Sequence, residues 1–338
     1  MKNQTNISQG FSLVELMIAM VISLFLTLGI FTMFRMSATN VTTTSQFNEL
    51  QENGRIALAI MERDLSQTGF MGDLTGQRLT IGESVTVSAN AIDDGSDCIG
   101  AGLNNRSLPV VGGSPYRLIW GYEDAVSPDS FACLNDVVNN TDVLQVKRLV
   151  GPPTLVPNNT TRHYAGTTTD NKIIFFSGDQ TAPVGENIRY WQLSHHIYYI
   201  RIQNGIPSLR RRILANGTMN GSGRTDEQLV EGVENFRVMY GVDNVGDNSV
   251  DVFVNEANVP QSVWNNDPKD LANPEGSKAK IVALRIFLLV RSIERDPTYT
   301  NEILYLLGDK AIDPKSDNFR RKIVSTTISL DNFSFDKP

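Results

Sequence analysis

A long apolar segment near the start of the chain is followed by a polar segment. From Phe11 to Phe34 nearly every residue is apolar, and Glu15 is the one charged residue in this run. About 20 such residues cross the hydrocarbon core of a membrane as an α-helix. The pattern therefore predicts a transmembrane helix over residues 11–34, with Arg35 at its far edge. A carboxylate in lipid costs roughly 2.5–3.5 kcal/mol at mid-membrane, so Glu15 requires a partner.

The helix is predicted to continue beyond the membrane. Apolar residues recur at intervals of mostly three and four, with an interruption near Gly54: Phe47, Leu50, Ala57, Met61 and Leu65. This spacing predicts an amphipathic continuation over residues 35–72 with one buried stripe. No proline precedes Pro109, and Gly69 provides a C-terminal stop. A helix from Phe11 to Gln67 would be about 85 Å long, with a head docked on its outer half.

In residues 73–338 the pattern is different: short runs of β-branched and aromatic residues are separated by Gly, Pro and Asn. Asn204-Gly205 predicts a tight hairpin. We predict an α+β fold, in which a long helix packs on an antiparallel β-rich head. The segments 151–171 and 255–276 are predicted to be surface loops. The predicted strands are 79–81, 84–88, 116–122, 143–149, 172–177, 195–202, 208–214, 233–243, 281–293 and 321–330.

The first ten residues suggest how the chain is processed. They are polar with a single basic residue, Lys2, and no small-residue cleavage site follows the apolar run. The small residue in a cleavage-like position is Gly10, which precedes the run. Cleavage there would leave the helix on the mature protein and create an amine at Phe11. That amine is a natural counter-ion for Glu15, in the same chain or in a neighbour.

The segment from Gly10 to Leu16 resembles the class III leader of type IV pilins and secretion pseudopilins. The resemblance implies that residues 1–10 are a leader, which a prepilin peptidase removes after Gly10 before it methylates Phe11. It also implies that Glu15 pairs with the N-terminal amine of an adjacent subunit during assembly. A plain single-pass anchor is the alternative.

Three further blocks resemble minor pilins of the PilW type: the helix Gln51–Leu65 followed by Gly69-Phe70, the segment Leu229–Asp243 ending in Tyr-Gly-x-Asp, and the pair Val282–Ile286 and Arg320–Val324. J-type pseudopilins of type II secretion carry a related helix but lack the Tyr-Gly-x-Asp block. We therefore expect a minor pilin that primes assembly near the fibre tip, with a J-type pseudopilin as the alternative.

This resemblance also implies partners and a location. The partners would be other minor pilins, the major pilin, a tip adhesin and the inner membrane. The protein would first be a single-pass inner-membrane protein with a periplasmic head, and later part of a pilus at the cell surface. Whether the fibre adheres, twitches or imports DNA stays open.

Charge argues against a nucleic-acid protein. The formal net charge is −7 at pH 7, whereas broad binding to nucleic acid needs clustered Lys and Arg. Arg210-Arg211-Arg212 is a local exception, which we interpret as a solvated hairpin edge protected from aggregation.

The two cysteines, Cys98 and Cys133, lie in loop-like surroundings. In an oxidising compartment an even count predicts a disulfide, which would stabilise the fold by roughly 4 kcal/mol. A metal site and free thiols are the alternatives.

The sequence provides little for catalysis. It contains no G-x-S-x-G, H-E-x-x-H, P-loop or G-x-G-x-x-G motif, so we predict neither an enzyme nor a cofactor. His195 and His196 are adjacent and would point to opposite faces of a strand, half-exposed.

One acidic loop leaves two interpretations open. Asp243, Asp247 and Asp251 offer oxygen ligands of the type that calcium prefers, but the EF-hand spacing is missing. A turn-rich connection explains the same residues equally well.

Overall fold

The computed structural model describes residues 10–88, 92, 95–113, 115–221, 225–265 and 279–333. Leader residues 1–9 and positions 266–276 of the predicted loop lie outside the described residues. The chain divides into two compact units, Met1–Glu49 and Leu50–Pro338.

A single helix, α1, runs over Leu13–Leu65 and passes from the first unit into the second. In the second unit it buries Leu50, Ala57, Met61 and Leu65 completely, so the predicted stripe is confirmed there. Phe47, in the first unit, is 41% exposed. The chain leaves the helix through a turn at residues 66–69, where Gly69 has a φ of +81°. That left-handed conformation favours glycine and ends the helix.

The described strands are β1 Val85–Val87, β2 Ile119–Glu123, β3 Asp142–Thr154, β4 His163–Thr167, β5 Ile173–Ser177, β6 Arg189–Gln203, β7 Ile206–Ile213, β8 Asp226–Glu231, β9 Val233–Asp243, β10 Val252–Val254, β11 Lys280–Arg291, β12 Tyr305–Leu307, β13 Lys310–Ile312 and β14 Arg321–Ser329. A second, one-turn helix, α2, covers Gln261–Trp264. Short 3-10 helices lie at Gly72–Leu74, Leu103–Asn105, Glu256–Asn258 and Asp331–Phe333.

Eight strands form the large sheet, in the order β1-β5-β4-β6-β3-β2. The long strand β6 pairs along one edge first with β4 and then with β7, and β7 pairs with β8. Asn204, with a φ of +52°, and Gly205, with a φ of +78°, make the tight β6–β7 hairpin that the sequence predicts. β1 and β5 run parallel, and the other described strand pairs are antiparallel.

The second sheet has the order β10-β9-β11-β14, and β12 with β13 forms a separate small hairpin. The main hydrophobic core joins both sheets to the α1 segment that begins at Leu50. A smaller core of Leu289, Tyr305 and Leu307 lies under the small hairpin. The predicted α+β architecture is confirmed, with α1 packed on a mostly antiparallel, β-rich head.

Two predicted loops contain more structure than the sequence indicates. Strand β4 lies within 151–171, since the short run His163–Thr167 pairs with β5 on one side and β6 on the other. In the described part of 255–276, Val259, Val263 and Trp264 are buried. Trp264 packs edge-on against Tyr240, with ring centroids 4.8 Å apart.

Candidate functional sites: the N-terminal helix and its anchorage in the head

Glu15 is engaged within its own chain. The Ser12 backbone N–H donates to Glu15 Oε2 at 2.9 Å, and the Glu15 N–H donates to Ser12 Oγ at 3.2 Å. This is a capping box, which satisfies two of the free N–H groups at the start of α1. Sequence reasoning missed it, although Ser-x-x-Glu before an apolar run is a recognised helix-start pattern. Glu15 Oε1 has no partner among the described residues.

The first unit presents an apolar surface. Its side chains are exposed from Phe11, which is 86% exposed, to Phe34, which is 76% exposed. The hydroxyls of Ser23, Thr27 and Thr32 donate to backbone carbonyls of the same helix. The helix is long and apolar enough to cross a membrane by length and composition. An apolar surface of this extent requires lipid or other protein to cover it.

In the second unit, the end of α1 is held to the large sheet by Asp64. Its carboxylate accepts hydrogen bonds from Arg148 Nε at 2.9 Å, His196 Nδ1 at 2.5 Å and the Tyr198 hydroxyl at 2.6 Å. Burial alone would raise the pKa of Asp64, but these hydrogen bonds and the charge of Arg148 outweigh it and hold the pKa well below its usual range. Asp64 is therefore a buried charge that holds the end of the helix to β3 and β6.

At Gly54, α1 lies close against the second sheet. A Cβ at this position would lie 2.9 Å from both γ-carbons of Val324 on β14. Gly54, which interrupts the apolar stripe, is therefore a point of contact between the helix and β14. A larger residue there would push the helix and the strand apart.

Arg237 of β9 joins three parts of the head. Its Nη1 lies 3.0 Å from Glu123 of β2, 2.9 Å from Asp142 of β3 and 3.1 Å from Glu256. Its Nε contacts Asp309, at the tip of the small hairpin, at 2.8 Å. Burial raises the pKa of Asp142 to about 7, against the opposing charge of Arg237.

The acidic loop uses its carboxylates to hold its own backbone. Asp243 accepts N–H groups from Val245, Gly246 and Asn248 at 2.6–3.0 Å. Asp251 accepts the N–H of Asn244, and Asp247 accepts that of Ser249. Within the described residues no group of three or more His, Cys, Asp or Glu side chains is placed to hold a metal.

The two histidines occupy different environments. His195 is 1% exposed rather than half-exposed, so that prediction was wrong for it. Its Nδ1 lies 2.9 Å from Ser107 Oγ, which also contacts Asp97. Because Ser107 and His195 are buried, this Asp, Ser and His grouping offers no surface to a substrate and supports the structure.

The arginine run also differs from its prediction. β7 lies between β6 and β8, so Arg210 and Arg212 are 7% and 4% exposed and do not form a solvated edge. Arg210 pairs with Asp226 at 3.1 Å and Arg211 with Glu227 at 2.7 Å. Both acids belong to β8, a strand that the sequence pattern did not indicate. Cys98 and Cys133 form a disulfide, with Cα atoms 4.9 Å apart.

Two segments of the chain are similar to known protein families. Residues 197–332 match the family model of type IV pilus-assembly protein W, PilW, and residues 5–31 match the prokaryotic N-terminal methylation motif. No curated protein matches the chain. A solved structure, a type IV-like pilin from Thermus thermophilus, is 12% identical and aligns over 85% of this chain and 98% of its own, with a TM-score of 0.34. With so low a TM-score, nothing about this chain is inferred from that protein.

The two matched segments include the features with the most specific geometry. The methylation motif contains Gly10, Phe11 and the Ser12–Glu15 capping box. The PilW match contains the part of β6 that follows His196 and all of β9 with Arg237. It also contains the β11–β14 pair that packs against Gly54. The chain is thus similar to type IV pilus-assembly protein W over residues 197–332, and it matches the prokaryotic N-terminal methylation motif over residues 5–31.

Proposed function

We propose that this protein is a minor type IV pilin that polymerises through its N-terminal helix and primes pilus assembly at or near the fibre tip. The observation that carries the proposal is the exposed apolar surface from Phe11 to Phe34, which has a single carboxylate near its start. Lipid would cover this surface before assembly, and the helices of other pilins would cover it in the fibre.

Processing creates the charge that Glu15 requires. A prepilin peptidase cleaves after Gly10 and methylates the new amine at Phe11. Glu15 Oε2 already accepts the Ser12 N–H, which leaves Oε1 for the N-terminal amine of a neighbouring subunit. Pairing the two charges removes most of the cost of holding a carboxylate in an apolar bundle.

The head determines the place in the fibre. In this proposal it lies in the periplasm while the helix is in the inner membrane, and it reaches the cell surface with the pilus. A head of this size fits the tip, where no subunit above limits it. Other minor pilins, the major pilin and a tip adhesin are the partners. The protein is not an enzyme and needs no cofactor; calcium at Asp243, Asp247 and Asp251 is disfavoured because their oxygens hold the loop backbone.

A deletion strain tests the proposal against the alternative of a J-type pseudopilin. Sheared surface pili and secreted proteins are measured in parallel. We expect loss of pili with normal secretion, restored by the wild-type chain. Normal pili with depleted secretion would contradict the proposal and move the protein to a type II secretion system.

A further inference from the structure

A cavity of about 430 Å³ lies on the side of the head, next to the Arg237 cluster, since its lining residue Lys310 pairs with Glu123. It is bounded by the end of the β6–β7 hairpin, the start of β9, the end of β11 and strand β13. We call it the lateral cavity. Its volume falls within the range of ligand pockets, which is roughly 300–1,000 Å³.

One part of the wall is apolar. Leu289 is buried, whereas Ile202 is 54% exposed at the mouth. Pro207 and Ile312 complete this surface. Nothing in the described part of the chain covers the exposed side of Ile202, so an apolar group in the cavity would gain free energy by burying it.

Two cations at the cavity, Arg291 and Lys315, have no ion-pair partner among the described residues. Arg291 is fixed by stacking on Phe319, 3.9 Å from the ring centroid, and by a 3.0 Å hydrogen bond from Nη2 to the Gly205 carbonyl. Burial lowers the pKa of Arg291. Lys315 is exposed, and neither cation forms an ion pair within the described residues.

The other charges that line the cavity are neutralised. Glu234 is held by Arg321, at 2.5 Å and 3.0 Å. Lys310 pairs with Glu123 and also donates to the Asn140 carbonyl. Arg321 also holds Asp317, at 2.6 Å. Arg291 and Lys315 are therefore the lining cations that have no carboxylate within ion-pair distance in the described part of the chain.

Neutral hydrogen-bonding groups complete the wall. The side-chain amides of Asn139 and Asn140 line the cavity and form no hydrogen bond within the described residues. An amide can donate to and accept from a peptide backbone at once. None of the described lining residues is aromatic, so the cavity lacks the stacking platform that nucleic-acid bases use.

We propose that the lateral cavity binds a short acidic peptide segment of a partner protein, with its carboxylate at Arg291 and Lys315 and an apolar side chain against Ile202 and Leu289. Charge complementarity selects the carboxylate, the apolar wall selects its neighbour, and the free asparagine amides hold the backbone. This inference does not rest on the assembly role of the N-terminal helix.

Calorimetry on the full-length protein in detergent tests the proposal. The probe is the blocked peptide acetyl-Gly-Leu-Val-Glu-Gly-amide, titrated also into empty micelles. The analogue with Gln in place of Glu removes only the charge, and sodium acetate provides the carboxylate alone. Lys315→Glu reverses the charge of an exposed cavity residue. Arg162→Glu is the matched control, because Arg162 lies outside the cavity and has no carboxylate partner in the described chain.

We expect saturable binding of the Glu peptide that weakens at least tenfold for the Gln peptide and for Lys315→Glu, and that changes less than twofold for Arg162→Glu. It should also weaken as salt rises. Absence of binding, equal binding of the Glu and Gln peptides, or equal loss in both variants would overturn the proposal. Acetate that competes as well as the peptide would reduce the site to an ion site and overturn it too.

Discussion

Asp64 shows how one residue can fix the end of a long helix. Its carboxylate is 5% exposed and receives a salt bridge from Arg148 at 2.8 Å as well as the hydrogen bonds of His196 and Tyr198. Removing one member of a buried pair leaves the other charged and unpaired, which is more costly than losing a surface pair.

Asp64→Asn should therefore lower the free energy of unfolding of the head by about 3 kcal/mol. The neighbouring Glu62 is exposed, so Glu62→Gln on the same helix should change it by less than about 0.5 kcal/mol. Chemical denaturation of both variants measures the difference. Equal values would show that Asp64 contributes no more than a surface residue.

The same carboxylate predicts a pH dependence. Its pKa is lower in the folded state than in the unfolded state, where an aspartate titrates near about 3.9. The stabilisation is therefore complete above that value and is lost as the pH falls below it. Thermal denaturation from pH 7 to pH 3 should show a smaller acid-induced loss for Asp64→Asn than for the wild type. A parallel loss in both would contradict the assignment.

The sequence could not predict this arrangement. Glu62, Arg63 and Asp64 are three consecutive charges, and which of them is buried depends on partners that are distant in the chain. Arg148 is 84 residues away and His196 is 132 residues away. By contrast, the Ser12–Glu15 capping box is local and could have been found from spacing alone.

At the scale of the elements, Arg237 connects strands that local packing alone would not fix. It lies on β9 and contacts acids from β2, β3 and the small hairpin. β2 and β3 belong to the large sheet, β9 to the second sheet, and β12 and β13 to the small hairpin, so Arg237 connects all three. One guanidinium thus sets their relative position, and the acids would repel one another without it.

Arg237→Met keeps much of the side-chain volume but removes the charge. We expect a loss of about 3–5 kcal/mol in the free energy of unfolding, as for other broken buried ion pairs. Arg162→Met is the surface control. Lowering the pH to protonate the acids should restore part of the stability of Arg237→Met. If acid destabilised that variant as much as the control, mutual repulsion of the carboxylates would be refuted.

The disulfide joins Cys98, in the irregular segment between β1 and β2, to Cys133, in the connection between β2 and β3. It closes a separation of 35 residues, which corresponds to roughly 4 kcal/mol in the chain-entropy model. The double variant Cys98→Ser, Cys133→Ser should lose that amount relative to the oxidised protein. Its stability should then no longer respond to dithiothreitol, and a remaining response would indicate another redox-sensitive group.

Elements with strong local patterns were predictable and those defined by pairing were not. The predicted strand 233–243 coincides with β9, and the Asn204-Gly205 hairpin is confirmed. β4 and β8 were missed because their sequences are short, polar or glycine-containing, and they are strands through the neighbours that they bond. Missing β8 also caused the error at the arginine run, since β8 supplies its acids.

For the whole molecule, the division of labour follows the chain. The first unit has exposed apolar side chains and a carboxylate, Glu15, of which one oxygen accepts a local hydrogen bond. The second unit has a continuous core and numerous internal ion pairs. The general character of each part could be predicted from apolar run length and strand periodicity. The contacts that hold the head together could not, because they join residues far apart in sequence.

This division predicts that processing and assembly can be separated by mutation. Gly10→Phe should block cleavage, so the protein keeps residues 1–10 and its mass exceeds that of the mature form by that segment. Glu15→Ala should be cleaved normally to begin at Phe11, yet its amount in sheared fibres should fall more than tenfold, because the neighbour's amine has lost its counter-charge. Glu62→Ala, a surface carboxylate later on the same helix, should behave like the wild type in both respects. Mass spectrometry of membrane and fibre fractions reports both steps in one experiment. A mature N-terminus other than Phe11 would refute the processing step, whereas full incorporation of Glu15→Ala would refute the pairing step and leave the apolar surface alone to drive assembly.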